Sequence, residues 1–181
     1  FLPLDARQPR PHLQELLACA GASGLVSRDD LWEPGSRPDL PFLALDRERA
    51  ALDRESTCDP SHPVLPEDLA YCLFTSGSSG RPKCVEITHA SLAAYPEAFN
   101  TRLELAAGDR YLHGASFGFS AALRQLLVPF SVGACVVLAA SSRIRDPLGL
   151  LQLARDLDVT VLDWVPSYLR MVCTELERLA P

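Results

Sequence analysis

The residues best suited to chemistry form a loop of hydroxyl groups and glycines at positions 75–83, with the sequence TSGSSGRPK. The glycines let backbone N–H groups approach an anion closely, and the serine and threonine hydroxyls add further donors. Arg81 and Lys83 add positive charge, and Pro82 keeps the loop from continuing as a helix. Together these residues are the parts of a polyphosphate-binding loop.

A flexible glycine and serine linker is the alternative explanation of the same residues. Two other nucleotide-binding loops are disfavoured by the spacing. A Walker loop needs Gly-Lys followed by Ser or Thr, and the dinucleotide-binding fingerprint needs Gly-x-Gly-x-x-Gly. Neither pattern occurs within residues 75–83.

The elements on either side of the loop indicate how it is held. An apolar run from Leu69 to Phe74 predicts a buried strand that ends at Thr75. Residues 84–88 predict a returning strand, and Thr88 is placed to cap a helix that begins at His89. Pro96 is expected to kink or shorten that helix.

The remaining pattern alternates strands with helices. We predict a helix over 9–20 that Gly21 terminates, strands at 24–27, 42–45, 111–115, 132–139 and 159–162, and helices over about 120–130, 147–157 and 166–179. This alternation predicts an α/β fold with a largely parallel sheet and flanking helices. Residues 1–68 form a lead-in with a long exposed connection, 69–88 hold the loop between its strands, and 89–181 continue the α/β pattern within the same domain.

Composition limits the possible functions. The chain has 181 residues, 48% of them hydrophobic, and a net charge of −6, which gives no support for nucleic-acid binding. No run of apolar residues is long enough for a membrane span, and no leader is evident, so we expect a cytoplasmic protein. The six cysteines and four histidines lack the spacing of metal ligands.

Four collinear segments resemble the large N-terminal domain of adenylate-forming enzymes, most closely the adenylation domains of nonribosomal peptide synthetases. The loop at 75–83 is similar to the phosphate-binding signature of that family. The segments are Phe1–Asp5 with Gln8–Pro9 and Ala20–Ala22, then Leu69–Tyr71 with Thr75–Lys83, then Ala115–Phe119 with Pro129–Phe130 and Gly133–Ala134, and finally Val159–Leu162 with Val165–Ser167. Their order and spacing match along nearly the whole chain.

The resemblance implies ATP-dependent activation of a carboxylic acid as an acyl-adenylate, with Mg²⁺ accompanying the nucleotide. In the intact parent the acyl group is then transferred to the thiol of a carrier protein among neighbouring synthetase domains. The resemblance also implies which residues line the β- and γ-phosphates of ATP, by positioning and electrostatics and not as nucleophiles. They are Thr75, Ser76, Gly77, Ser78, Ser79, Gly80 and Lys83.

Two positions depart from the family pattern. Cys84 stands where glycine is usual, which stiffens the exit from the loop. Ser120, directly after Phe119, stands where members that activate amino acids usually carry an Asp that pairs with the α-ammonium group. We therefore expect Phe119 and Ser120 to contact either a hydroxy, keto or aryl acid without a free α-amino group, or an amino acid whose counter-charge another residue supplies. Alternatively, Ser120 is only a helix cap. His113 faces the acyl pocket or, as we favour, packs on its strand.

On this resemblance the adenine-binding segment and the catalytic lysine of the family would follow Pro181. The 181 residues alone are expected to bind ATP weakly and to adenylate nothing measurable. A non-catalytic pseudo-adenylation module with a structural or docking role is therefore the alternative function. A relative of the acyl-CoA ligases fits the segments at Phe1–Asp5 and Val165–Ser167 less closely.

Overall fold

The computed structural model describes residues 1–32, 38–76 and 82–179. The chain divides into two compact units, Phe1–His89 and Ala90–Pro181. No helix in the described ranges is long and apolar enough to cross a membrane. The predicted loop residues Gly77, Ser78, Ser79 and Gly80 lie outside the described residues, as does Arg81.

The first unit opens with the predicted helix, α1 (Arg10–Cys19), whose C-cap is Ala20 and which Gly21 follows. Gly21 has a φ of 60°, and its N–H donates to the Ala18 carbonyl at 3.1 Å. The N–H of Ala22 donates to the Leu17 carbonyl at 3.0 Å. This pair of bonds is the Schellman motif, in which a left-handed residue satisfies the last free carbonyls of a helix. The apolar face of α1 buries Leu13, Leu16 and Leu17.

Two short strands follow, β1 (Leu25–Ser27) and β2 (Phe42–Ala44), which pair in parallel with Leu25 opposite Phe42. A 3₁₀ turn at Asp29–Leu31 lies between the two strands, and the short helix α2 (Arg49–Leu52) follows β2. Both strands agree with the sequence prediction. The long connection contains little other regular structure among its described residues.

The hairpin that flanks the predicted phosphate loop is the largest strand pair described. Strands β3 (Leu69–Ser76) and β4 (Pro82–Thr88) run antiparallel, with a register irregularity between Leu69 and Tyr71. Both strands were predicted. Since successive side chains of a strand alternate between faces, the register decides which loop-flanking groups stand together.

The helix α3 (His89–Leu103) begins directly after β4 and continues through Pro96. Of the two effects expected of Pro96, shortening of this helix is therefore wrong, and a kink stays a prediction. A proline removes one N–H donor from a helix, and here its ring is buried in compensation.

In the second unit, β5 (Arg110–His113) is the central strand. It pairs in parallel with β6 (Cys135–Leu138), and Tyr111 also forms a parallel bridge to Val161. The predicted strand over 159–162 is thus reduced to one bridging residue. Its register is interrupted because the Thr160 side chain, instead of a backbone carbonyl, accepts the Arg110 N–H at 3.0 Å.

Helices flank this parallel arrangement, which confirms the α/β prediction. They are α4 (Ser120–Ser131), α5 (Ser141–Ile144), α6 (Pro147–Asp156) and α7 (Pro166–Leu179). Asp146 caps α6 by accepting the Gly149 N–H at 3.0 Å. The core between strands and helices centres on Leu112, Val137 and Leu150.

Candidate functional site

The β3–β4 hairpin brings together two of the residues predicted to bind phosphate. Thr75 and Lys83 are direct partners across the strands, and both are exposed. Partners in an antiparallel pair point to the same face with Cα atoms about 5 Å apart. A hydroxyl and an ammonium group therefore stand side by side where the two strands enter the loop. Ser76 pairs with Pro82 one step closer to it.

Cys84, the first departure from the family pattern, lies within β4 opposite Phe74. Its backbone is part of the ladder, where a residue with a side chain is favoured over glycine. The departure therefore leaves the strand that carries Lys83 intact.

A cavity of about 110 Å³ lies in the second unit, between the segment after β5, helix α4 and the segment around Asp163. Most of its wall is apolar, and a few polar groups converge on one side, which is typical of a small-molecule site. The lining residues are Gly114, Ala115, Ala121, Arg124, Gln125, Ile144, Leu150, Asp163, Trp164, Val165 and Tyr168.

The polar side of the cavity is built on a two-pronged ion pair. Arg124 Nε lies 2.7 Å from Asp163 Oδ2, and Arg124 Nη2 lies 2.9 Å from Asp163 Oδ1. Both side chains are largely withdrawn from solvent, with 24% and 20% of their surface exposed. The Tyr111 hydroxyl also donates to Asp163 Oδ2 at 3.0 Å. Three donors therefore hold one carboxylate.

Burial and charge keep these groups in their donor forms. Burial alone would lower the pKa of Arg124, but its hydrogen bonds and ion pair with Asp163 raise that pKa by more, so the net direction is upward. Burial, followed by the charge of Asp163, raises the pKa of Tyr111. At neutral pH the guanidinium is charged and the phenol keeps its proton, so the negative charge of Asp163 is balanced inside the wall.

Gln125 joins three parts of the cavity wall. Its Oε1 accepts the N–H groups of Gly114 and Ala115, each at 3.0 Å, and its Nε2 donates to the Asp163 carbonyl at 2.7 Å. The side chain is buried, with 3% of the residue exposed. A buried amide with all these bonds fixes the positions of the groups it joins.

Sequence reasoning missed Arg124, Gln125 and Asp163. A signal was present for Arg124 and Gln125, because these two polar residues interrupt the apolar part of α4 between Leu123 and Leu126. A polar residue on the buried face of an amphipathic helix indicates a specific partner. No comparable signal marks Asp163, which follows the bridge at Val161.

The two predicted acid-contacting residues are placed at the start of α4. Both are exposed, Phe119 to 69%, and their neighbour Ala121 lines the cavity. Phe119 occupies the N-cap position and Ser120 is the first helical residue. The helix-cap explanation of Ser120 is therefore wrong, because the residue whose φ and ψ fit a cap is Phe119. That Phe119 and Ser120 contact the acid stays a prediction.

His113 is buried on β5, as the packed-histidine interpretation predicts. Its ring centroid lies 5.2 Å from that of Phe117, and 5% of the residue is exposed. Burial lowers its pKa, so the imidazole is neutral at neutral pH. Within the described part of the chain, its Nε2 has no hydrogen-bond partner.

Comparison with known proteins agrees with this architecture. A model of the family described as AMP-binding enzyme matches residues 1–180. The chain belongs to the AMP-binding enzyme family.

The predicted resemblance to adenylation domains of nonribosomal peptide synthetases is also confirmed. Phenyloxazoline synthase MbtB of Mycobacterium tuberculosis is 32% identical over 174 residues, which cover 95% of this chain and 12% of that protein. A dimodular nonribosomal peptide synthase of Bacillus subtilis is 29% identical over 185 residues, covering 99% and 8%. The crystal structure of the synthetase FmoA3 in its AMPPNP-bound form has a TM-score of 0.83 at 30% identity and covers 97% of this chain and 18% of its own. The chain spans about a tenth of the length of the two curated relatives.

Proposed function

We propose that these residues are the phosphate-binding and acid-binding part of a domain that activates a carboxylic acid with ATP. In the reaction, the acid's carboxylate oxygen attacks the α-phosphorus of ATP, pyrophosphate leaves, and an acyl-adenylate forms. In the intact parent the thiol of a carrier protein then attacks the acyl carbon, a thioester forms, and AMP and the thiol proton leave. The observation that carries the proposal is the pairing of Thr75 with Lys83 at the two strand ends that bracket the loop.

The donor set fits a polyphosphate. A hydroxyl and an ammonium on one face of the hairpin bind phosphate oxygens as hydrogen-bond donor and point charge. In the proposal Thr75, Ser76, Gly77, Ser78, Ser79, Gly80 and Lys83 contact the β- and γ-phosphates. Mg²⁺ accompanies ATP and, when bound, screens the charge of the phosphate oxygens. The contribution of the chain is to hold the leaving group in line and to balance the charge that develops on it.

The acid is proposed to enter the cavity beside the first turn of α4. Ser120 carries no charge that could pair with an α-ammonium group, and we therefore propose an acid without a free α-amino group. A 2-hydroxy acid, a 2-keto acid or an aryl acid would meet this condition. FmoA3 has also been solved with α-methyl-L-serine-AMP bound, which is the adenylate of an amino acid. For the present chain a matched pair, such as leucine and its 2-hydroxy analogue, tests the difference directly.

The test is ATP–pyrophosphate exchange by the full-length protein, with Lys83→Ala and Ser79→Ala compared with wild type. Loss of a donor to the leaving group is expected to lower exchange by about 10- to 100-fold. Glu86→Ala is the matched control, because Glu86 is exposed on the same strand and its side chain points to the opposite face of the hairpin from Lys83. Undiminished exchange in both loop variants would reject the phosphate-binding role.

A titration of the full-length protein with ATP, Mg²⁺ and a carrier protein separates this proposal from a pseudo-adenylation module. Tight ATP binding that weakens in Lys83→Ala supports the adenylating function. Carrier binding without nucleotide binding would instead favour a structural or docking role.

A further inference from the structure

The Arg124–Asp163 pair is the charged feature of the cavity. Among the described lining residues these two carry the formal charges, and the remaining wall is apolar apart from amide and hydroxyl groups. Two hydrogen bonds, each shorter than 3 Å between nitrogen and oxygen, join the guanidinium of Arg124 to the carboxylate of Asp163. The cavity wall therefore has no net charge, although it contains both a cation and an anion.

Each charge of the pair is already balanced by the other, so a charged group of a substrate would compete with the partner that is in place. Asp163 Oδ1 is held by Arg124, and Oδ2 is held by both Arg124 and the Tyr111 hydroxyl. A cationic group that approached Asp163 would meet the guanidinium at the same point. An anionic group that approached Arg124 would meet the carboxylate. Like-charge contacts in a partly dehydrated wall are strongly unfavourable, so the pair rejects both signs.

The geometry of the pair is supported on both sides. Gln125 fixes the backbone of Asp163 through a 2.7 Å hydrogen bond to its carbonyl. Arg124 directly precedes Gln125 on the same helix. Arg124 lies over the Phe99 ring at 5.4 Å, a cation–π contact that holds the guanidinium from the other direction. Rotation of either side chain to serve a ligand would break several of these contacts.

We infer that the Arg124–Asp163 pair makes this cavity select acids whose cavity-facing group is uncharged, and that each half of the pair, once its partner is neutralised, becomes a receptor for the opposite charge. The inference rests on the proposed function, because it names the class of acid that the same site accepts. It concerns the group that enters the cavity and is independent of the α-substituent.

Three acids of equal chain length test the inference: pentanoate, glutarate and 5-aminopentanoate. They differ at the far end, which is neutral, anionic or cationic. Binding to the full-length protein is measured by calorimetry, and ATP–pyrophosphate exchange is measured with each acid. Wild type is expected to prefer pentanoate over both charged acids by about tenfold or more.

The variants should then shift the preference in opposite directions. Asp163→Asn keeps the shape but frees Arg124, so glutarate should gain about tenfold relative to pentanoate. Arg124→Gln frees Asp163, so 5-aminopentanoate should gain instead. The double variant carries no charge and should keep the wild-type preference, which also covers the case in which a single variant fails to fold. Arg178→Gln is the control, because it breaks an exposed ion pair with Glu175 on α7.

The outcomes separate the two proposals. If none of the three acids supports exchange and ATP does not bind, the proposed function fails. If exchange occurs but wild type uses the charged acids as well as pentanoate, or if neither single variant shifts its preference, the inference alone is overturned. Absence of binding by all three acids to every form overturns it too.

Discussion

Gln125 donates a 2.7 Å hydrogen bond from its side-chain amide to the backbone carbonyl of Asp163, across a separation of 38 residues in sequence. The same side chain accepts the N–H groups of Gly114 and Ala115. One buried amide thus links the end of β5, the middle of α4 and the segment before α7. The ion pair that faces the cavity depends on this link, because Asp163 is held by its backbone as well as by its carboxylate.

Replacement of Gln125 by leucine should destabilise the protein by about 2–4 kcal/mol, because two buried N–H groups and one carbonyl would lose their partner. Urea unfolding measures the change. Gln152→Leu is the matched control, since Gln152 is exposed on α6 and bonds only to Asp156 among the described residues, and it should change the stability by no more than about 0.5 kcal/mol. An equal effect of the two substitutions would contradict the role given to Gln125.

His113 should make the stability depend on pH. Burial lowers its pKa in the folded protein, whereas the unfolded chain has the ordinary value of about 6.5. Between these two values the unfolded state binds more protons, so the free energy of unfolding rises with pH there. The contribution is complete above about pH 6.5 and is lost as the pH falls toward the folded pKa.

Urea unfolding at several pH values, for wild type and His113→Phe, isolates this contribution as a difference between two slopes. The titration of the imidazole by NMR gives the folded pKa directly, with the His113→Phe spectrum assigning the signal. A folded pKa at or above about 6.5 would show that burial does not act as described.

Gly21→Ala should lower the free energy of unfolding by about 1 kcal/mol, because a Cβ atom is unfavourable at the left-handed φ of 60° that closes α1. Apart from its chain neighbours, no atom of the described residues lies within 4 Å of the added Cβ, so the effect is one of backbone conformation and not of crowding. Gly108→Ala provides the comparison, since its Cβ would also enter open space and its φ is not in the left-handed region. Equal stabilities of the two variants would argue against the Schellman motif as the cause.

Local patterns were sufficient to predict most elements of the fold. The apolar run at 69–74, the returning strand at 84–88 and the helices that start at Pro147 and Pro166 are set by nearby residues, and the structure has them close to the predicted bounds. The predictions that failed depend on other parts of the chain. Pro96 is tolerated within α3 where it is buried, and the strand at 159–162 gives way where the Thr160 hydroxyl replaces a backbone acceptor.

Some residues of the candidate site could likewise be predicted from local sequence, and others could not. Thr75 and Lys83 could be placed together from sequence because a single short hairpin connects them. The Arg124–Asp163 pair could not, because it joins a helix to a segment that lies 39 residues later, and nothing local to either residue names the other. Charge pairs of this kind are fixed by the packing of the unit as a whole.

The three-way bonding of Gln125 also bears on protein engineering by segment exchange. A transplanted α4 from a related protein would arrive with its own residue at position 125, while the peptide groups of Gly114, Ala115 and Asp163 would remain those of the recipient. Residues 114–125 and residue 163 must therefore come from the same parent protein, or else the residue at position 125 must keep a side-chain amide. Crossover points chosen only by the ends of helices would separate Gln125 from the three backbone groups that it bonds.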